Sequence, residues 1–266
     1  MIAILGAGAM GEAYVAGLLH SGIEPARVAI VEKNAERAAA ISDRYGVHTM
    51  DLDAAVRESA TVLILVKPQD VHDLLERVAP DLNDGAIVVS LVAGVRLERL
   101  EETLGSGTPV VRAMPNTPAL IGQGTTAISP GRWCSDDQRD YIVSLLSAVG
   151  PVVEVPEALQ DAVTATSGSG PAYAFLLIES MMAAAVDLGL DRDTARLLVT
   201  QTVLGAALMA AEPGADAAAL RRQVTSPQGT TAAALDVFDA AGFPALVARA
   251  MTAARDRSVE LGAPTV

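Results

Sequence analysis

A chain of 266 residues that is 51% hydrophobic can bury a large core and fits one or two domains. A formal charge of −13 leaves no basic stripe to neutralise a phosphate backbone, so it argues against nucleic acid as a partner and bears mainly on solubility. Cys134 is the only cysteine, so no intrachain disulfide can form, and beside Trp133 it is expected to be packed rather than reactive.

Residues 1–5 read as a short apolar strand; Gly6-Ala7-Gly8-Ala9-Met10-Gly11 follows, and a helical pattern then runs to about residue 19. In that setting each glycine of a GxGxxG has a physical task. The first allows the tight turn, the second lets backbone approach a pyrophosphate, and the third lets helix pack on strand. The helix start adds unpaired amides that suit an anion. A second strand, 27–31, ends at Glu32, where such a unit places the carboxylate that accepts from the adenosine ribose hydroxyls. Strand, glycine turn, helix, strand and acid together predict dinucleotide binding, against a purely structural glycine turn. Because the cofactor strand starts at residue 1, no secretory or transit peptide is expected, and the protein is expected to be cytoplasmic.

Residues 62–66, 86–91 and 110–113 are further apolar runs of the buried parallel kind, separated by amphipathic segments such as 71–78. Strands at 125–128 and 152–155 flank a helix expected at 136–149. From about residue 156 strand signals vanish, and helices are expected over 157–164, 171–188, 192–211, 215–223, 230–240 and 244–261. The predicted class is α/β: an N-terminal Rossmann-type doubly wound sheet over 1–155, then an all-α C-terminal dimerisation domain over 156–266. Alanine-rich helices that are apolar all round close a core poorly by themselves, which predicts an obligate dimer rather than a monomer whose helices cover the sheet. The most apolar helical stretch, 174–186, carries Glu179 and falls short of the roughly 20 residues a membrane span needs, so no membrane contact is expected.

In the second half, Val224-Thr225-Ser226-Pro227-Gln228-Gly229-Thr230-Thr231 is a hydroxyl-rich turn running into a helix. Ser226, Thr230 and Thr231 offer hydroxyls, Gly229 lets the backbone come close, and the first helical amides point outward with a positive dipole behind them. This is a seat for a small carboxylate or phosphate; an ordinary N-cap is the plainer reading. A second cluster of hydroxyls and glycines, 162–171, joins two helices, with Pro171 in a favoured first-turn position and Tyr173 just inside. Taken alone it reads as a helix–helix elbow. Asn116 follows the strand at 110–113, at the carboxyl end of the sheet, where it could bond a nicotinamide carboxamide or ribose or simply form a proline-fixed turn. Lys67, in Val66-Lys67-Pro68, leaves another strand end.

Bound nicotinamide implies hydride transfer, and the supply of general acids is thin. The only lysines are Lys33 and Lys67 and the only histidines His20, His48 and His72, all in the cofactor half. A carbonyl reductase usually needs a positioned acid for the developing alkoxide, whereas an imine nitrogen can be protonated beforehand. The inventory favours C=N over C=O reduction, although Tyr173 and Lys67 keep a carbonyl substrate open. No metal is expected.

The motifs Gly6 to Gly11, Val66-Lys67-Pro68, Arg112-Ala113-Met114-Pro115-Asn116-Thr117-Pro118, Ser167-Gly168-Ser169-Gly170-Pro171-Ala172-Tyr173 and the turn from Val224 to Thr231, in this order, closely resemble those of pyrroline-5-carboxylate reductases. The resemblance spans essentially the whole chain; its last two motifs are specific, and the first is shared by many dehydrogenases. It implies reduction of 1-pyrroline-5-carboxylate to L-proline with NADH or NADPH, in a two-domain enzyme whose helical domains interleave in a dimer, with larger rings of dimers common. By matching motifs, Ser226, Gly229, Thr230 and Thr231 would hold the substrate carboxylate, Thr164 would act near the ring nitrogen, and Glu157 would approach the substrate. Gly6, Ala7, Gly8, Ala9, Met10, Gly11, Glu32, Lys33, Val66, Lys67, Pro68, Asn116 and the loop Val92-Ala93-Gly94 would contact the cofactor.

Two positions depart from the family pattern. Gln228 stands where members usually carry Gly; if that position needs a positive φ, glutamine costs on the order of 1 kcal/mol. Glu32 stands where members that bind a 2′-phosphate carry Ser, Thr or Asn, and its charge favours NADH, although Lys33, Asn34 and Arg37 follow closely enough to bind a phosphate. The alternatives to the family reading are a reductase of another small imine or 2-oxo acid and a non-catalytic dinucleotide-binding redox sensor.

Overall fold

The computed structural model describes residues 1–262. Strands β1 (Ile2–Leu5), β2 (Val28–Val31), β3 (His48–Thr49), β4 (Thr61–Ile64), β5 (Ile87–Ser90), β6 (Val110–Met114), β7 (Thr126–Pro130) and β8 (Val152–Glu154) form one sheet in the order β3-β2-β1-β4-β5-β6-β7-β8. Neighbours run parallel except β6 and β7, which pair antiparallel. Along β1, Ile2 and Ile4 join Leu63 and Val89 in one core, whereas Ala3 and Leu5 join Val62, Ile64 and Val88 in the other. A strand buried on both faces has no polar phase, which is why these segments read as continuous apolar runs. The chain steps one way from β1 to β3 and the other way from β4, so the carboxyl ends of β1 and β4 flank the switch point at which doubly wound sheets bind ligands.

Helices α1 (Ala9–His20), α2 (Ala35–Tyr45), α3 (Leu52–Arg57), α4 (Val71–Val78), α5 (Leu97–Leu104) and α6 (Asp136–Leu146) cover the sheet. Their ends follow local chemistry. Asn34 and Asp51 cap α2 and α3 by accepting from backbone amides, and Ser135 with Gln138 forms a capping box at α6. The helix expected to reach residue 149 tightens into a 3₁₀ turn, Ser147–Val149.

Beyond β8 the expected elbow is absent. A 3₁₀ turn (Glu157–Leu159), α7 (Gln160–Val163), a π-helical turn (Thr164–Gly168) and α8 (Gly170–Asp187) make one helical run, Glu157–Asp187, of 31 residues. Thr164, Thr166 and Ser167 each donate to a carbonyl four residues back, so these side chains stay with the helix they were expected to end. This corrects the expectation that the apolar stretch is too short for a membrane. By length and composition alone, Glu157–Asp187 and α9 (Arg192–Ala211) could each cross one, and α11 (Thr230–Ala240) with α12 (Phe243–Leu261), bent by 52°, qualify as a pair. The short α10 (Ala217–Gln223) lies between α9 and α11.

The chain divides into two compact units, Met1–Ser169 with the described residues from Ala254 on, and Gly170–Ala253. The last strand ends at Glu154, yet residues 156–169 remain in the sheet's unit, where Glu157 and Asp161 pair with Arg112 and Gln160 donates to Ser129. In the second unit α8 packs on α9, but Ala195 and Val199 are its only buried hydrophobic side chains among the described residues. Phe175, Leu176, Leu197, Leu208 and Val237 are all at least 60% exposed.

Candidate active site

The glycine turn after β1 gives each glycine a separate reason. Gly6 has φ 99°, and a Cβ there would meet Leu65 O at 2.7 Å. At Gly11 a side chain would collide with Gly6 O, so helix and turn are in backbone contact. Gly8 has nothing within 4 Å of where its Cβ would be. It is the uncapped N-terminal neighbour of α1, and the first helical bond is from Glu12 N–H to Gly8 O (2.9 Å), which leaves the amides of Ala9, Met10 and Gly11 without helical partners. Open approach at Gly8 and unpaired amides beside it fit a dinucleotide pyrophosphate.

Glu32 closes this site at the end of β2. Its carboxylate accepts from Ala7 N–H at 3.0 Å and Asn34 N–H at 2.9 Å, which aims it across the turn. Arg37 is already engaged, donating to Ala7 O and pairing with Glu12 at 3.0 Å; Arg44 also pairs with Glu12, at 2.7 Å. Lys33 is exposed and 3.8 Å from Asp70. Glu12 is the member of this cluster that motif reading overlooked; its position in the first turn of α1, facing arginines from α2, depends on tertiary packing.

The other cofactor candidates stand on loops at the carboxyl ends of the strands. Lys67 is exposed after β4. After β5, Gly94 (φ 79°) lies close enough to the end of α12 that a Cβ would meet Gly262 N at 3.2 Å. A cavity of about 980 Å³ opens here, lined by Pro68, His72, Gly94, Arg96 and Arg99 among others. Asn116, after β6, accepts from Thr125 N–H at 2.8 Å, so its carbonyl fixes the turn and its amide nitrogen remains for a ligand.

Behind this loop, Arg112 is a buried cation whose role motif reading did not foresee. Its side chain, 5% exposed, pairs with Glu157 at 3.1 Å and Asp161 at 3.8 Å. Glu157 also accepts from Leu97 N–H at 2.6 Å, and Asp161 from the Ser258 hydroxyl at 2.7 Å. Glu157, expected near the substrate, uses one carboxylate oxygen to tie the start of α5 and strand β6 to the helical run, and its Oε2 makes no bond among the described residues. Thr164 donates its hydroxyl proton to Gln160 O (2.9 Å), which leaves its oxygen as an acceptor.

In the second unit, Ser226 to Gly229 forms a turn closed by Gly229 N–H to Ser226 O (3.0 Å). Gly229 is the N-cap of α11 and carries no side-chain cap; the first helical bond runs from Ala233 N–H to Gly229 O at 3.1 Å. The amides of Thr230, Thr231 and Ala232 are left for an anion. Among the described residues the side chains of Ser226, Gln228, Thr230 and Thr231 make no hydrogen bond, whereas neighbouring Thr225 donates to Arg221 O at 2.6 Å. The plain N-cap reading requires a side-chain bond that is not made.

Elsewhere, burial pushes the Cys134 thiol pKa up, as for a packed side chain, and raises that of Tyr14 to about 12 against a Thr126 hydroxyl bond that lowers it. Among the described residues no group of three or more His, Cys, Asp or Glu side chains is placed to hold a metal ion.

Residues 157–261 match the family described as pyrroline-5-carboxylate reductase dimerisation, and residues 1–94 match NADP oxidoreductase coenzyme F420-dependent. Pyrroline-5-carboxylate reductase of Pseudomonas aeruginosa is 44% identical over 262 residues, covering 98% of this chain and 96% of that one. Among solved structures, a pyrroline-5-carboxylate reductase from Coxiella burnetii is 36% identical with a TM-score of 0.92, covering 99% and 98% of the two chains. A Plasmodium falciparum pyrroline carboxylate reductase with NADP bound is 28% identical with a TM-score of 0.90, covering 98% of each. A glycine turn shaped for a dinucleotide, a bare helix start behind three unspent hydroxyls, and these full-length likenesses agree: the chain belongs to the pyrroline-5-carboxylate reductase family.

Proposed function

We propose that this protein reduces 1-pyrroline-5-carboxylate to L-proline, taking a hydride from a nicotinamide dinucleotide and a proton from water. The observation that carries the reading is the pairing of two unlike anion sites in one chain: a pyrophosphate turn at Gly6–Gly11 and an uncharged seat at Ser226, Gly229, Thr230 and Thr231. When bound, the reduced cofactor supplies the hydride for the imine carbon. The chain's own contribution is binding, orientation and control of the proton. Glycine-turn amides hold the pyrophosphate, and Val66, Lys67, Pro68, Val92, Ala93, Gly94 and Asn116 frame the rest of the cofactor. Free amides and hydroxyls at α11 hold the single carboxylate. Thr164, with its proton already committed, accepts from the ring N–H and so favours the protonated imine. That arrangement needs no strong acid, in keeping with a second half that contains no Lys or His. Glu157, held by Arg112 through one oxygen, approaches the substrate with the other.

The reading favours NADH over NADPH. A 2′-phosphate would meet the Glu32 carboxylate, and Arg37, the best-placed cation, is tied to Glu12 and Ala7. Lys33 contributes at most an exposed charge. We take residues 1–155 as the dinucleotide-binding domain and 156–266 as the substrate and dimerisation domain, whose apolar helices a second copy covers, with rings of such dimers as the larger assembly. A single cysteine suits a cytoplasmic site of action. Steady-state oxidation of NADH and NADPH with 1-pyrroline-5-carboxylate tests the reading: turnover is expected, and its absence with both cofactors rejects it.

A further inference from the structure

Gln228 is the only non-glycine residue with a positive φ (59°) among the described residues. It occupies the second corner of the Ser226–Gly229 turn, after Pro227, where a turn of this kind takes Gly or Asn at no cost. Strain of this sort persists only where something over-determines it. Here the closed turn fixes the backbone, while the side chain is held by nothing among the described residues: Gln228 is exposed, and its carboxamide bonds to no described residue. It shares that unspent state with Ser226, Thr230 and Thr231, on the same turn as the free amides of α11. At that corner glycine would be free of strain and would offer no side chain, whereas a carboxamide supplies N–H donors where an anion is expected.

We infer that Gln228 is a specificity-determining residue of the carboxylate seat, its side-chain amide donating to a carboxylate oxygen of the substrate. The inference rests on the proposed function and deepens it. It assigns to this chain a side-chain donor, from a turn corner where glycine would provide none, and makes affinity depend on the carboxylate rather than on the imine ring.

The test compares 1-pyrroline-5-carboxylate with 1-pyrroline, which has the same imine and no carboxylate. Gln228→Met keeps length and strain but removes the donor; it is expected to raise KM for the carboxylate substrate by about tenfold, the worth of one hydrogen bond to a charged group. Turnover of 1-pyrroline and KM for NADH are expected to stay unchanged. Gln228→Gly should show the same rise in KM together with a higher melting temperature, and it carries the measurement if the Met variant does not fold. An unchanged KM, or equal losses on both substrates, overturns the inference. Thr231→Ala, measured alongside, separates the levels: if it raises KM and Gln228→Met does not, this inference alone fails, whereas absence of wild-type turnover sinks the proposed function and this with it.

Discussion

The proposed preference for NADH rests on Glu32, whose carboxylate is held by two backbone amides, Ala7 and Asn34. Replacing it by serine removes the charge a 2′-phosphate would meet. Glu32→Ser is expected to raise kcat/KM for NADPH relative to NADH by on the order of tenfold or more, since one charge contact of this kind is worth about 1.5–3 kcal/mol. An unchanged ratio in steady-state kinetics with both cofactors would move the specificity determinant elsewhere. Glu32 was legible in the sequence because it ends a strand at a fixed interval from a glycine turn. Gln228 was legible as a question, and the φ of 59° answers it. The engagement of Arg37 with Glu12 and Ala7 was not legible, because it joins two helices and a turn that only the packed sheet brings together. For the same reason the pairing of Glu157 with Arg112 was not legible.

At the scale of elements, the parallel strands announced themselves as apolar runs because both faces are covered. Two-residue β3 and six-residue α3 are too short to carry a period, and the π-turn at Thr164–Gly168 was hidden by hydroxyls and glycines that usually end helices. This helical run meets the sheet through the cluster of Arg112, Glu157, Asp161 and Ser258, which joins β6, the start of α5 and the end of α12, and through buried Gln160, which donates to Ser129 on β7. Removing the buried cation leaves two carboxylates facing one another. Arg112→Met is expected to destabilise the protein by about 3–5 kcal/mol. Chemical denaturation at fixed protein concentration measures it, and a loss below about 1 kcal/mol would mean that packing rather than the ion pairs holds the run.

For the whole molecule, the unit Gly170–Ala253 is a set of helices with almost no interior of its own. Such surface is stable in water only when another surface covers it. Light scattering in detergent-free buffer is expected to give twice the mass of one chain or an even multiple of it. A monomer would contradict the pairing, and a requirement for detergent would point to lipid, for which two helices have the length and composition. The apolar character of these helices was visible in the sequence; what covers it was carried by resemblance, since a periodic pattern cannot name a partner. The central claim, that the glycine turn and the carboxylate seat serve one reaction, is tested most directly by a crystal structure with NADH and L-proline bound together. The account predicts the proline carboxylate on the amides and hydroxyls of Ser226–Thr231 and its ring against the nicotinamide, within a subunit or across two copies. Proline bound elsewhere, or a nicotinamide too far from that turn for hydride transfer in every pairing of copies, would contradict it.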